Sequence, residues 1–135
     1  MQAARTDARQ NRHRLPRSPS PCPGPYIVTH PPTLESRMTF ADLQLPADLI
    51  AALSKQDITD PTPVQVASVP VLLAGQDAYL HAETGTGKTL AYLLPLFCRI
   101  DASLAATQAV IIAPTHELAL QIHRQCTDLA QNAGR

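Results

Sequence analysis

The sequence has no net charge with which to attract a polyanion. Basic and acidic side chains each number 11 in 135 residues, so the formal charge is zero. That balance conceals a division. Residues 1–37 carry six arginines against Asp7 and Glu35, a net of +4, and residues 38–135 carry five basic and nine acidic side chains, a net of −4. The C-terminal part therefore lacks the basic field that gathers nucleic acid, and any such contact must be local or come from outside this sequence. Cysteine is scarce as well. Cys22, Cys98 and Cys126 form an odd set without regular spacing, which argues against a disulfide framework or a zinc site. Cys98 and Cys126 fall in apolar helical patterns and are expected as buried free thiols, which suits a reducing compartment. No apolar run reaches the ~18 residues of a membrane span, and the arginine-rich N-terminus has no apolar core of a secretory signal. His30, His81 and His123 lack metal-ligand spacing, and His81 is expected to be packed. The expected location is the cytoplasm, with a mitochondrial destination as the alternative if the arginine-rich leader is genuine.

Proline, by contrast, is concentrated. Seven of the thirteen prolines lie in residues 1–37, in the runs PRSPSPCPGP and HPPT. A segment rich in Pro, Arg and Ser buries too little apolar surface to offset its ordering entropy, so residues 1–37 are expected to be a disordered leader. A transit peptide, a basic interaction arm and translated sequence upstream of the true start compete as its explanation. It lacks the apolar helical face of a transit peptide, and the folded pattern begins right after Met38, which is expected to be the native start.

From Met38 the texture changes. Leu43, Leu45, Leu49, Ile50 and Leu53 predict a short amphipathic helix over about 46–54. Thr62 suits an N-cap and Pro63 the first helical position. That helix should run to about Ala74, bent or interrupted at Pro70 and ended by Gly75. Asp77–Ala82 reads as a strand, followed by a Gly-rich turn and a helix from about Gly87 to Ile100 with Pro95 inside it. Ala109–Ala113 (AVIIA) reads as a buried strand. Thr115 can cap a last helix, in which Leu118, Ile122, Cys126 and Leu129 recur at helical spacing. The order strand, helix, strand, helix is a βαβ unit with a right-handed crossover and a parallel sheet, hence an α/β fold. Two strands do not make a stable parallel sheet, so the expectation is the N-terminal part of a larger α/β domain.

The turn carries the chemistry. The segment HAETGTGKTL matches the phosphate-binding pattern G-x-x-x-x-G-K-[ST] at Gly87, Lys88 and Thr89, with Ala82 in the first position and Gly85 as an additional glycine. Small residues let the backbone from Ala82 through Glu83, Thr84, Gly85, Thr86 and Gly87 wrap phosphates with its N–H groups. The helix that follows adds the positive end of its dipole. Lys88 can reach the β and γ phosphates and the Thr89 hydroxyl can bind Mg²⁺. Strand before and apolar helix after are the context this mechanism requires.

Three segments together resemble the DEAD-box RNA helicases. AETGTGKT, Ala82 to Thr89, is close to that family's A-x-T-G-x-G-K-T. DITDPTPVQ, Asp57 to Gln65, resembles the Q-motif G-[FY]-x-x-P-T-P-I-Q. APTHELALQ resembles motif Ia, usually P-T-R-E-L-A. Phe40 lies seventeen residues before Asp57, where the family keeps an isolated aromatic. The resemblance spans residues 39 to about 131, and the order and spacing of the four features are more specific than any one. It implies an incomplete RecA-like P-loop domain, with residues 38–66 as the Q-motif region and 67–135 as the N-terminal part of the ATP-binding domain. It also implies ATP and Mg²⁺ as cofactors, RNA as partner, and ATP-dependent RNA unwinding by the full-length protein. A monomer is expected, and protein partners are not indicated.

The resemblance assigns roles that residue chemistry supports. Gln65 alone reads as an exposed helix residue. After PTP and ahead of a P-loop it reads as an adenine contact, because a glutamine amide can pair with N6 and N7 of adenine. Ile58 stands where the family has an aromatic ring against adenine. It can cover the base without stacking, which implies weaker binding by roughly 1 kcal/mol. Phe40 is either an adenine-side contact or a core anchor. Pro114, Thr115 and His116 are the candidate RNA contacts, and His116 replaces the usual Arg with a donor carrying little charge near pH 7. Glu117 is expected only to complement the helix dipole. The family's Asp-Glu-Ala-Asp, Ser-Ala-Thr and arginine-finger motifs do not occur in these residues, so the chain alone is expected to be inactive. The alternative is a non-catalytic nucleotide- or RNA-binding remnant. A transporter or remodelling ATPase is disfavoured, since neither has a reason to place PTPVQ about 20 residues before the loop.

Overall fold

The computed structural model describes residues 26–28 and 38–134. The elements in chain order are β1 (Tyr26–Val28), α1 (Ala47–Ser54), α2 (Pro63–Leu73), β2 (Ala78–Leu80), α3 (Lys88–Arg99) and α4 (His116–Ala133). β1 and β2 form a parallel pair in the register Tyr26↔Ala78, Ile27↔Tyr79, Val28↔Leu80. α2 packs across both strands and against α3, and α1 packs on α4. No helix among the described residues is long and apolar enough to cross a membrane.

Each helix starts and stops for a local reason. Thr39 donates from both N–H and Oγ1 to Asp42 Oδ2, at 2.7 and 2.8 Å. These bonds hold the Asp42 carboxyl below its usual pKa and close the turn that sends Phe40 and Leu43 into the core. α1 then presents Leu49, Ala52 and Leu53 inward. Two backbone bonds wrap its end, Asp57 N–H to Ser54 O (3.1 Å) and Ile58 N–H to Leu53 O (3.0 Å). α2 ends with the same pair, Gly75 N–H to Leu72 O and Gln76 N–H to Val71 O. This cap needs a left-handed residue at the turn. α2 supplies Gly75 (φ +80°), whereas α1 uses Asp57 (φ +57°). Left-handed backbone costs an L-residue about 1–2 kcal/mol, and glycine's extra freedom in the unfolded chain returns part of that. Asp57→Gly should therefore stabilise the chain by about 0.5–1 kcal/mol, read as a higher urea midpoint at unchanged slope. An unchanged or lower midpoint would show that the Asp57 side chain offsets its backbone cost.

α2 runs through Pro70 to Leu73 without interruption. Pro70 is exposed, and the Val66 carbonyl that it deprives of a helical donor is the cost of keeping it there. α4 is capped as its sequence suggests, with Thr115 Oγ1 accepting from Leu118 N–H at 3.3 Å. Its C-terminal end receives Lys55 Nζ on the Asn132 carbonyl at 2.9 Å. The core gathers Phe40, Leu43, Leu45, Leu49, Leu53, Val69, Leu94 and Leu129, so α1, α2, α3 and α4 share one cluster.

Four expectations are corrected. Tyr26–Val28 is a strand inside the leader expected to be disordered; Tyr, Ile and Val are strong strand formers. The remainder of residues 1–37 lies outside the described residues. Ala109–Ala113 is not a strand. Val110 is 76% and Ile112 91% exposed, because no described strand lies beside them and an apolar run without a backbone partner cannot form a ladder. Cys98 and Cys126 form no disulfide and are only half-buried, with the Cys126 thiol pushed up by that burial. His81, expected to be packed, is exposed at the exit from β2.

Candidate functional site

The glycine-rich loop from Ala82 to Gly87, the candidate P-loop, joins β2 to α3. Its conformation is set by two left-handed glycines, Gly85 (φ +84°) and Gly87 (φ +86°). They differ in surroundings. A Cβ on Gly85 would meet nothing within 4 Å, while one on Gly87 would lie 2.5 Å from Gln65 Nε2 and 3.0 Å from Thr62 Oγ1. Gly85 therefore faces open space and Gly87 is seated against the start of α2. Between them, Thr86 Oγ1 donates to the Glu83 carbonyl at 2.8 Å. Gly87 is the N-cap of α3 and offers no side-chain bond, so the first N–H groups of that helix are not covered by a capping side chain. Lys88 Nζ donates to the carbonyl of Ala82, which links the two ends of the loop. Thr89 follows on α3, half-buried beside Tyr92, whose phenol is raised by burial and lowered in part by a hydrogen bond with Thr89.

Gln65 is the junction. It is 1% exposed, so it is not the solvated helix residue that its type suggests. Its Oε1 accepts from Thr62 N–H at 3.0 Å and its Nε2 donates to the Gly87 carbonyl at 3.1 Å. The first bond is half of a capping box; in the other half Thr62 Oγ1 approaches the Gln65 N–H outside hydrogen-bond geometry. A glutamine amide has two donors and two lone pairs, so one N–H and one lone pair remain uncommitted. Thr62 was legible as a cap, but its contact with the loop was not. The Thr-x-x-Gln spacing is the signal that pairs the two side chains.

The other candidates divide. Phe40, 2% exposed, lies in the core cluster, and of its two readings burial supports the core anchor. Ile58 is half-buried and packs against the same cluster, following Asp57 at the end of α1. Pro114, Thr115 and His116 are exposed at the start of α4. Thr115 spends its hydroxyl on the cap, which leaves His116 and the first N–H groups of α4 facing outward. Among the described residues no hydrogen bond joins these three to the P-loop.

The residues present fit a magnesium nucleotide. The loop offers an open glycine, an uncapped helix start and a lysine held by a single carbonyl. No group of three His, Cys, Asp or Glu among the described residues could hold a metal. From this chain a magnesium ion would draw on Thr89, with phosphate oxygens, waters and carboxylates outside these residues completing the set this ion commonly takes at nucleotide sites.

Comparison with known proteins agrees with this geometry. Residues 62–135 match the family model described as DEAD/DEAH box helicase. The chain is 42% identical over 98 residues to the ATP-dependent RNA helicase DeaD of Escherichia coli, covering 73% of this chain and 16% of that protein. Its fold resembles the RNA helicase Prp28 of Chaetomium thermophilum bound to ADP, with TM-score 0.63 and 34% identity over 69% of this chain and 24% of that one. It also resembles Dbp5 of S. cerevisiae bound to RNA and ADP BeF3, with TM-score 0.65 and 26% identity over 72% and 25% of the two chains. The chain thus spans about one sixth of the curated relative's length, and its architecture is that of an incomplete α/β RecA-like domain. Fold, P-loop and family match converge: the chain belongs to the DEAD/DEAH box helicase family.

Proposed function

We propose that the complete protein is an ATP-dependent RNA helicase, and that residues 38–134 supply the part of its ATP site that grips base and phosphate. The observation that carries this reading is the Gln65 bridge, whose two bonds tie the start of α2 to Gly87 of the P-loop. The uncommitted N–H and lone pair of Gln65 match the acceptor N7 and the amino group N6 of adenine. Guanine offers two acceptors on that edge, so the same side chain favours ATP over GTP. Ile58 covers the base with apolar surface. The backbone from Ala82 to Gly87 and the start of α3 hold the phosphates. Lys88 moves from the Ala82 carbonyl to phosphate oxygens. Thr89 would present its hydroxyl oxygen to Mg²⁺, which would supply neutralisation of phosphate charge.

Pro114 to His116 is the segment proposed to lie along the RNA backbone, with helix N–H groups and His116 as donors. The carboxylates that position water and a second side of the metal are not among these 135 residues. The activity is therefore proposed for the complete protein, in the cytoplasm. Lys88→Ala tests it. Losing a charge-assisted bond of about 1.5–3 kcal/mol should weaken ATP binding roughly ten- to a hundred-fold and remove RNA-stimulated ATP hydrolysis. Retention of both would refute the assignment.

A further inference from the structure

We propose that Tyr26–Val28 is a positioning strand for the P-loop, bracing the two elements that hold the loop's ends. β1 pairs with β2 over all three residues of each strand. β2 leads within two residues to Ala82, the carbonyl that receives Lys88. α2, which grips the other end of the loop at Gly87 through Gln65, packs across both strands. One short segment of the leader thus touches both supports.

The sequence limits that segment closely. Tyr26 to Thr29 is the one run of strand-forming residues in the first 37, with Pro25 before and Pro31 after. Proline donates no backbone bond and ends a ladder, so the pairing cannot extend far in either direction. A three-residue parallel pair is marginal by itself. Its cover by α2 makes the pairing cooperative with the Q-motif helix, and β1 is the only partner of β2 among the described residues. Without β1, β2 loses the one ladder it has among the described residues, α2 loses part of its floor, and the loop between them is less firmly placed. The effect on nucleotide rests on the function proposed above; the effect on β2 does not.

The test uses the complete protein with Ile27→Pro, which removes a donor and fixes φ inside the ladder, and with Ile27→Val, which keeps strand propensity. Hydrogen exchange of the Ala78–Leu80 amides is measured without nucleotide, and ADP with Mg²⁺ is then titrated. The Pro variant should exchange at those amides about tenfold faster or more and bind ADP about three- to tenfold more weakly, while the Val variant matches wild type. Unchanged exchange in the Pro variant overturns the pairing. Faster exchange with unchanged ADP affinity overturns the positioning role. A wild-type protein that binds no ADP counts against the nucleotide reading, and the exchange result, which needs no nucleotide, tells the two failures apart.

Discussion

Gly87→Ala should destabilise the nucleotide-free protein by about 2–5 kcal/mol, against about 1–2 kcal/mol for Gly85→Ala. Both glycines have φ near +85°, so both substitutions carry the left-handed backbone penalty of about 1–2 kcal/mol. They differ in what the new methyl meets. At Gly85 it meets nothing, and at Gly87 it comes within 2.5 Å of Gln65 Nε2 and 3.0 Å of Thr62 Oγ1. A real Cβ does not approach that closely, so the Gln65 amide must leave. Its departure breaks the part-buried bonds to the Gly87 carbonyl and the Thr62 N–H; the carbonyl keeps the Ala91 N–H, but the Thr62 N–H loses its acceptor, at about 1–3 kcal/mol. Urea unfolding of the two variants separates the terms. Equal losses would mean that the contact between α2 and the loop yields without cost.

The second large effect concerns Gln65 itself. Gln65→Ala removes both bonds, leaving the Thr62 N–H without its acceptor and the Gly87 carbonyl with only the Ala91 N–H, a cost of about 1–3 kcal/mol. Gln65→Glu is more informative. A carboxylate can still accept from Thr62 but faces the Gly87 carbonyl oxygen with no proton to give. Protonated, the same group donates to Gly87 and restores both bonds. Burial and the facing carbonyl therefore raise the pKa of the glutamate in the folded state. A raised carboxyl pKa means that the folded state binds more protons than the unfolded state, so stability falls as pH rises. The variant should be near wild type below the unfolded value of about 4.3 and should lose stability as pH climbs through its folded value. Wild type has no such titration at this position, so the difference between the two curves isolates it. A flat difference from pH 4 to 8 would show that Gln65 does not donate to Gly87.

Much of this arrangement was legible because its causes are local. Thr115 announces α4 and caps it; Thr62 and Pro63 announce α2; the loop pattern sits between a strand and a helix as expected. The failures share a different cause. Val110, Ile111 and Ile112 show that their side chains need cover, but an apolar run does not say which neighbour supplies it, and these residues remain exposed. Tyr26–Val28 was hidden by its prolines, since composition averaged over 37 residues outweighs three adjacent strand formers. Phe40 had two roles of similar plausibility, and only its burial favours one. Gln65 was read for what it could offer a base. Half of its capacity is spent on its own chain, one bond on Thr62 at capping-box spacing and one on a contact 22 residues away, which no local spacing reveals.

The contact of Lys88 with the Ala82 carbonyl changes what a binding measurement on this site reports. The lysine is not idle before nucleotide arrives, because the loop already presents it with an internal ligand. On the function proposed, phosphate would enter by displacement, and the observed affinity would be the difference between two partners for one ammonium group. Substituting the lysine would then remove a favourable term from both sides of the exchange, and the measured loss would understate the strength of the proposed contact between Lys88 and phosphate.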